Sequence, residues 1–220
     1  MISEVIIMPI GEPVLTGCEG NTLSIILNSM KKTSAPFKRA IKQKNLRFPL
    51  NENQLTQIYV QQVDIQLPSQ FGVSIQYTDI FLGTKGIPDI YFYKKEEGAT
   101  HLPLFEVEAK RLPAPKKSRK KEYVKGKNEN GGIERFKLEK HGKGLHTCGM
   151  LGYVEEEDFL FWEKCINSWI AELSLANNLW QEDEILTETE RDNDFMVLES
   201  IAHRTSQTDV RLYHLWINTR

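Results

Sequence analysis

No stretch of this 220-residue chain is apolar for long enough to cross a bilayer as a helix. The amino terminus lacks the basic-then-apolar pattern of a secretory signal, so the expectation is a cytoplasmic protein with no membrane partner. Cysteine is scarce. Cys18, Cys148 and Cys165 are odd in number and widely spaced, which argues against a disulfide framework and fits reduced thiols. The paired ligand spacing of a zinc finger is also missing, so Cys148 with His141 or His146 reads as an ordinary loop in preference to a zinc site. No recognition helix stands out to say which bases, if any, are read.

The chain has almost no net charge, a formal −2, but the balance conceals a partition. Residues 110–143 hold 13 Lys and Arg against 4 Glu, whereas residues 144–220 hold 5 against 15 acids. A further basic stretch, residues 31–47, carries seven basic residues and no acidic one, and reads either as a nucleic-acid backbone contact or as an exposed linker. Hydrophobic content of 40% and charged content of 26% are those of a soluble globular protein with a sizeable core. The expected organisation is one domain over residues 1–220, with 1–48 an N-terminal appendage and 195–220 a C-terminal hairpin.

The chemistry concentrates in Gly86–Leu112. If Leu104–Lys110 is a strand, alternation sets Phe105, Val107 and Ala109 on one face and Glu106, Glu108 and Lys110 on the other. Ile87–Tyr93 reads as a second strand with Asp89 at its start, and the charged, Gly98-containing segment Lys94–Thr100 joins the two as a hairpin. Antiparallel pairing would bring Asp89 near Glu108. Two carboxylates so placed repel, and a hard divalent cation is the natural compensation.

Pro88-Asp89, a strand and loop, then Glu108-Ala109-Lys110 resembles the signature of the PD-(D/E)xK nuclease superfamily, the restriction-endonuclease-like fold. That resemblance implies an α/β (α+β) architecture with a mixed central sheet flanked by helices. It implies that Asp89, Glu108 and the Val107 carbonyl hold Mg²⁺ or Mn²⁺, and that Lys110 positions or activates the attacking water. The superfamily often adds an acid from a preceding helix. Glu52 takes that place by order, in the first turn of a helix from Asn51 to about Gln66, and Asp79 is the runner-up; a first-turn Glu is also favoured by the helix dipole alone. The stretch around Tyr123-Val124, Gly132, Arg135-Phe136 and Gly149–Val154 is similar to bacterial nuclease-like proteins of phage-defence neighbourhoods.

Beside such a site, the basic group Lys116, Lys117, Arg119, Lys120 and Lys121 suits a phosphate backbone, and Arg135 reads either as phosphate-facing or as a helix-surface arginine. Other expected elements are a helix with Leu23, Ile26, Leu27 and Met30 on one face, strands at Ser3–Ile10, Val73–Leu82 and Met150–Val154, and a helix from Ile133 to about Lys140. A longer helix would follow Glu155–Asp158 with Phe159, Trp162, Ile166, Trp169, Ile170 and Leu173 on its core face. Two closing strands carry His203 and His214, both read as sheet histidines with hydrogen-bond partners. Acidic Glu182–Asp194 either faces away from a polyanion or mimics one. The function expected is an Mg²⁺-dependent endodeoxyribonuclease in restriction or phage defence, with RNA not excluded and a homodimer or a defence-system partner subunit in view. Its alternatives are an inactive nucleic-acid-binding subunit of the same fold and a structural ion network.

Overall fold

The computed structural model describes residues 17–220, with side chains from residue 20 onward. The expected strand Ser3–Ile10 and the Cys18 thiol lie outside the described residues. The helices are α1 (Gly17–Lys32), α2 (Ser34–Ala40), α3 (Glu52–Gln66), α4 (Gly132–Lys137) and α5 (Phe159–Ala176). The strands are β1 (Phe71–Ile75), β2 (Ile90–Lys94), β3 (Pro103–Leu112), β4 (Thr147–Val154), β5 (Thr187–Arg191), β6 (Phe195–His203) and β7 (Asp209–Asn218).

These strands form one mixed sheet in the order β1-β2-β3-β4-β7-β6-β5, flanked by helices on both faces. The middle three, β3, β4 and β7, run parallel to one another, and the outer pairs are antiparallel. A strand with parallel neighbours on both sides is covered on both faces, which is why β4 is an almost unbroken apolar run. On one face Ile26, Met30, Phe37, Leu55 and Tyr59 from α1, α2 and α3 meet Phe105, Val107, Ala109 and Tyr153. On the other, Phe136, Trp162, Ile166 and Ile170 from α4 and α5 meet Met150, Leu198, Leu212 and Trp216.

The described part of the expected appendage is therefore built into the core, since α1 and α2 supply Ile26, Met30 and Phe37 to it, and Ile41 follows directly after α2. The closing hairpin is present as β6 and β7, but β7 lies inside the sheet between β4 and β6. Two strands begin or end short of expectation: β1 ends at Ile75, the remainder of Val73–Leu82 being a loop, and β2 begins at Ile90, so Asp89 precedes it. Asp79 makes that loop, its carboxylate accepting from the backbone N–H groups of Phe81, Leu82 and Thr84 and from the Thr84 hydroxyl. An aspartate satisfied this way favours a turn over a ladder.

Candidate functional site

The site forms on the α4 face of β3, toward its carboxyl end. The β2–β3 register pairs Ile90 with Val107 and Tyr91 with Glu106. Continued by one residue it sets Asp89, just before β2, across from Glu108. Both acids thus project to the same side, and Asp89 Oδ2 accepts the Ala109 N–H at 2.8 Å. Two residues along β3 from Glu108, Lys110 Nζ donates to Glu108 Oε1 at 2.6 Å and lies 3.6 Å from Glu52 Oε1. Glu52 arrives from α3, whose start is held by a reciprocal cap: Asn51 Oδ1 accepts from Gln54 N at 3.0 Å, and Gln54 Oε1 accepts from Asn51 N at 2.9 Å. The other Glu52 oxygen accepts from Arg111 N at 3.1 Å, which pins α3 to the end of β3.

The polar face expected for β3 is not solvated. Glu106, Glu108 and Lys110 are all buried, because α4 and the loop after it lie across them. The covering groups are cationic or hydrogen-bond donors. Arg135 of α4 donates from Nη1 to Glu108 Oε1 at 2.6 Å, and Gly142 N donates to Glu106 Oε2 at 2.6 Å. Arg135 is therefore turned toward an acid of the site. His141 Nδ1 lies 3.2 Å from Glu108 Oε2, yet the two atoms make no aligned hydrogen bond and neither has another partner among the described residues. In the sequence His141 stands out only as a rejected zinc alternative, and nothing in its own neighbourhood of glycines and lysines marks it. Cys148 is equally buried, and burial pushes its thiol well above the usual range, the opposite of what a zinc ligand needs.

Electrostatics separate the two facing acids. Burial alone would raise Glu108, but the Lys110 ammonium, His141 and Arg135 outweigh it and hold this carboxyl at about 2. Asp89 is pushed up to about 7 by burial and by the charge on Glu108, against the pull of Lys110. Burial also raises Glu52, in the face of Lys110. Lys110 loses solvation too, but Glu108, Glu52 and Asp89 more than compensate and keep it firmly protonated. The floor of the site is Glu108 and Lys110. Its rim, partly open to solvent, is Asp89, Glu52 and Arg135.

The basic segment borders this rim. Lys116, Lys117, Arg119 and Lys120 are exposed around a short 3-10 helix, Lys117–Arg119; Arg119 pairs with Glu122 and Lys121 with Glu172. Arg119 is close enough to Glu52 to feel its charge. Asp79 senses Glu106 but spends its carboxylate on its own turn, so Glu52 is the third acid of the cluster. The Val107 side chain points into the core on the opposite face.

Among the described residues no three His, Cys, Asp or Glu side chains gather closely enough to hold a metal ion by themselves. A hard cation, however, fills most of its shell with water and main-chain oxygen. Such an ion would find two same-side carboxylates here, one of which has a buried oxygen with no hydrogen bond. No known protein family matches the chain, and neither does any curated protein or solved structure.

Proposed function

We propose that the chain is a metal-dependent nuclease of the restriction-endonuclease-like kind, hydrolysing DNA phosphodiester bonds, with a role in restriction or phage defence. One observation carries the reading: Asp89 and Glu108 face each other from adjoining strands on the side where Lys110 projects. Asp89 and Glu108, with the Val107 carbonyl, would hold Mg²⁺ or Mn²⁺, which lowers the pKa of a bound water and offsets charge on the phosphoryl oxygens. The chain's own groups do the rest. Lys110 stays charged, so it orients the nucleophile and stabilises negative charge, and is not the proton acceptor. Glu52 holds Lys110 through its second carboxylate contact. Arg135 neutralises Glu108 Oε1, and the exposed lysines 116, 117 and 120 meet the phosphate backbone beyond the rim.

A second reading is favoured by the ion contacts themselves. Lys110 and Arg135 already neutralise Glu108 without any metal, as a nucleic-acid-binding protein that does not cut would also show. Incubating the protein with supercoiled plasmid and Mg²⁺ or Mn²⁺ separates the two. Cleavage that is abolished in Asp89→Ala and in Lys110→Ala supports the nuclease. Salt-sensitive retardation of intact plasmid supports the binding protein, and neither effect would sink both.

A further inference from the structure

The two oxygens of Glu108 have unequal surroundings. Oε1 accepts from both Lys110 and Arg135, whereas Oε2 has no hydrogen bond. Facing Oε2 at 3.2 Å is His141 Nδ1, likewise buried and unbonded. At 3.2 Å the two atoms are within hydrogen-bond distance and lack only alignment, and leaving both unsatisfied is costly in the interior.

The backbone leaves the imidazole nowhere else to go. Its ring meets Phe136 edge-on, with centroids 5.7 Å apart and planes at 79°. The next residue, Gly142, has φ +65°, and a Cβ there would lie 2.3 Å from Cys148 Sγ. Gly142 is also tied at both of its backbone polar groups: its N–H donates to Glu106, and its carbonyl accepts from buried Arg204 at 2.7 Å. Gly86, three residues before Asp89, also abuts the ring. A Cβ on Gly86 would stand 1.8 Å from the Lys140 carbonyl and 2.5 Å from His141 Cδ2. The ring is thus wedged between the segment that ends in Asp89 and the strand that bears Glu108.

We infer that His141 is a positioning residue. On the nuclease reading above, it donates from Nδ1 to one lone pair of Glu108 Oε2, leaves the other lone pair to the divalent cation, and sets the spacing between the two acids. Its action is on the ligand and not on the substrate. Donors behind a ligating carboxylate fix its orientation, and losing one costs about 10–100-fold in metal affinity or activity.

The test is calorimetric titration of the intact chain with Mn²⁺, without DNA, in His141→Phe, His141→Asn and Gly86→Ala, with the melting temperature of each variant before metal is added. His141→Phe should bind Mn²⁺ about 10–100-fold more weakly. His141→Asn, whose amide nitrogen keeps a donor near the place of Nδ1, should regain most of that loss. Gly86→Ala, whose Cβ meets the Lys140 backbone carbonyl before it meets the ring, should lower the melting temperature and shows how far lost stability alone weakens binding. Unchanged Mn²⁺ affinity in His141→Phe overturns the assignment, as does a loss that His141→Asn fails to recover or that follows melting temperature across the three variants. Wild-type protein that binds no Mn²⁺ would remove the nuclease reading along with it. A wild type that binds Mn²⁺ and cuts, beside a His141→Phe that binds equally well, removes the His141 role alone.

Discussion

At the scale of the residue, the molecule puts ionisable groups where water is absent and then surrounds them. Glu108 is enclosed with Lys110, Arg135 and His141 about it. Its substitution by Ala would leave Lys110 without its nearest counter-charge in the interior, a change that typically costs about 3–5 kcal/mol. Urea unfolding of Glu108→Ala at neutral pH should show a loss of that size, and a loss under about 1 kcal/mol would mean that water reaches the pair. Besides His141, the histidine buried in the interior is His214. Trp216 Nε1 donates to the Tyr123 hydroxyl, which donates to His214 Nδ1, and His214 Nε2–H is left to donate to Ser200 Oγ. That chain is complete with a neutral ring, and a second ring proton would find no acceptor. Burial accordingly holds His214 down at about 3. The unfolded chain takes up this proton near pH 6.5 while the folded chain does not, so its contribution to stability is full above pH 6.5 and falls as pH drops toward 3. The slope is about 1.4 kcal/mol per pH unit. Unfolding free energies measured between about pH 6.5 and 4 should lose that single-proton slope in His214→Asn, and an unaltered slope would refute the neutral-ring account.

Elements differ in how plainly the chain announces them. The β2–β3 hairpin, α3 and α5 are legible because each rests on local rules: alternation for the strands, Asn51 and Asp158 as caps, and Trp162, Ile166 and Ile170 at helical spacing. For α3 the cap also aims a functional acid. Asn51→Ala should cost about 1 kcal/mol of stability, read by thermal unfolding, and should loosen Glu52 from Lys110. The placement of Asp89 opposite Glu108 is legible for the same reason, since strands adjacent in sequence and joined by a single loop pair as a hairpin. What sequence alone does not reveal is non-local. Alternation marks Glu106, Glu108 and Lys110 as one face but cannot say that residues 134–142 close over it. Nor can the run of charge after Lys110 be sorted by eye. Lys137 is fully buried on Glu184, over the Trp180 ring, while Lys116, Lys117 and Lys120 remain outside. Lys137→Ala should therefore destabilise far more than Lys117→Ala, by a few kcal/mol against a few tenths, a contrast that chemical denaturation of the two variants would check.

Over the whole molecule, the opposed charges of the two halves are partly spent on each other. Lys31 pairs with Glu190 and Lys38 with Asp194, so the acidic stretch binds the helices α1 and α2, and among the described residues Lys116, Lys117 and Lys120 by the site have no ion-pair partner. On the proposed function, the logarithm of DNA affinity should fall with the logarithm of salt, and Lys117→Ala with Lys120→Ala should shrink that slope by about 0.9 for each phosphate the variant no longer neutralises. An identical slope in the double variant would place the nucleic acid elsewhere.

The position of β7 bears on how the molecule assembles in time. β4 meets β3 across residues 113–146, whereas its other flank stays open until residues 155–208 have been traversed and Asp209–Asn218 slots in. Closing so long a loop is slow. The β4–β7 pairing is then among the last events of folding, and pulsed hydrogen exchange should find the amides bonded across that ladder acquiring protection later than those of the β2–β3 hairpin. A chain caught before that step exposes an apolar strand edge, the kind of surface on which nascent proteins stick to one another.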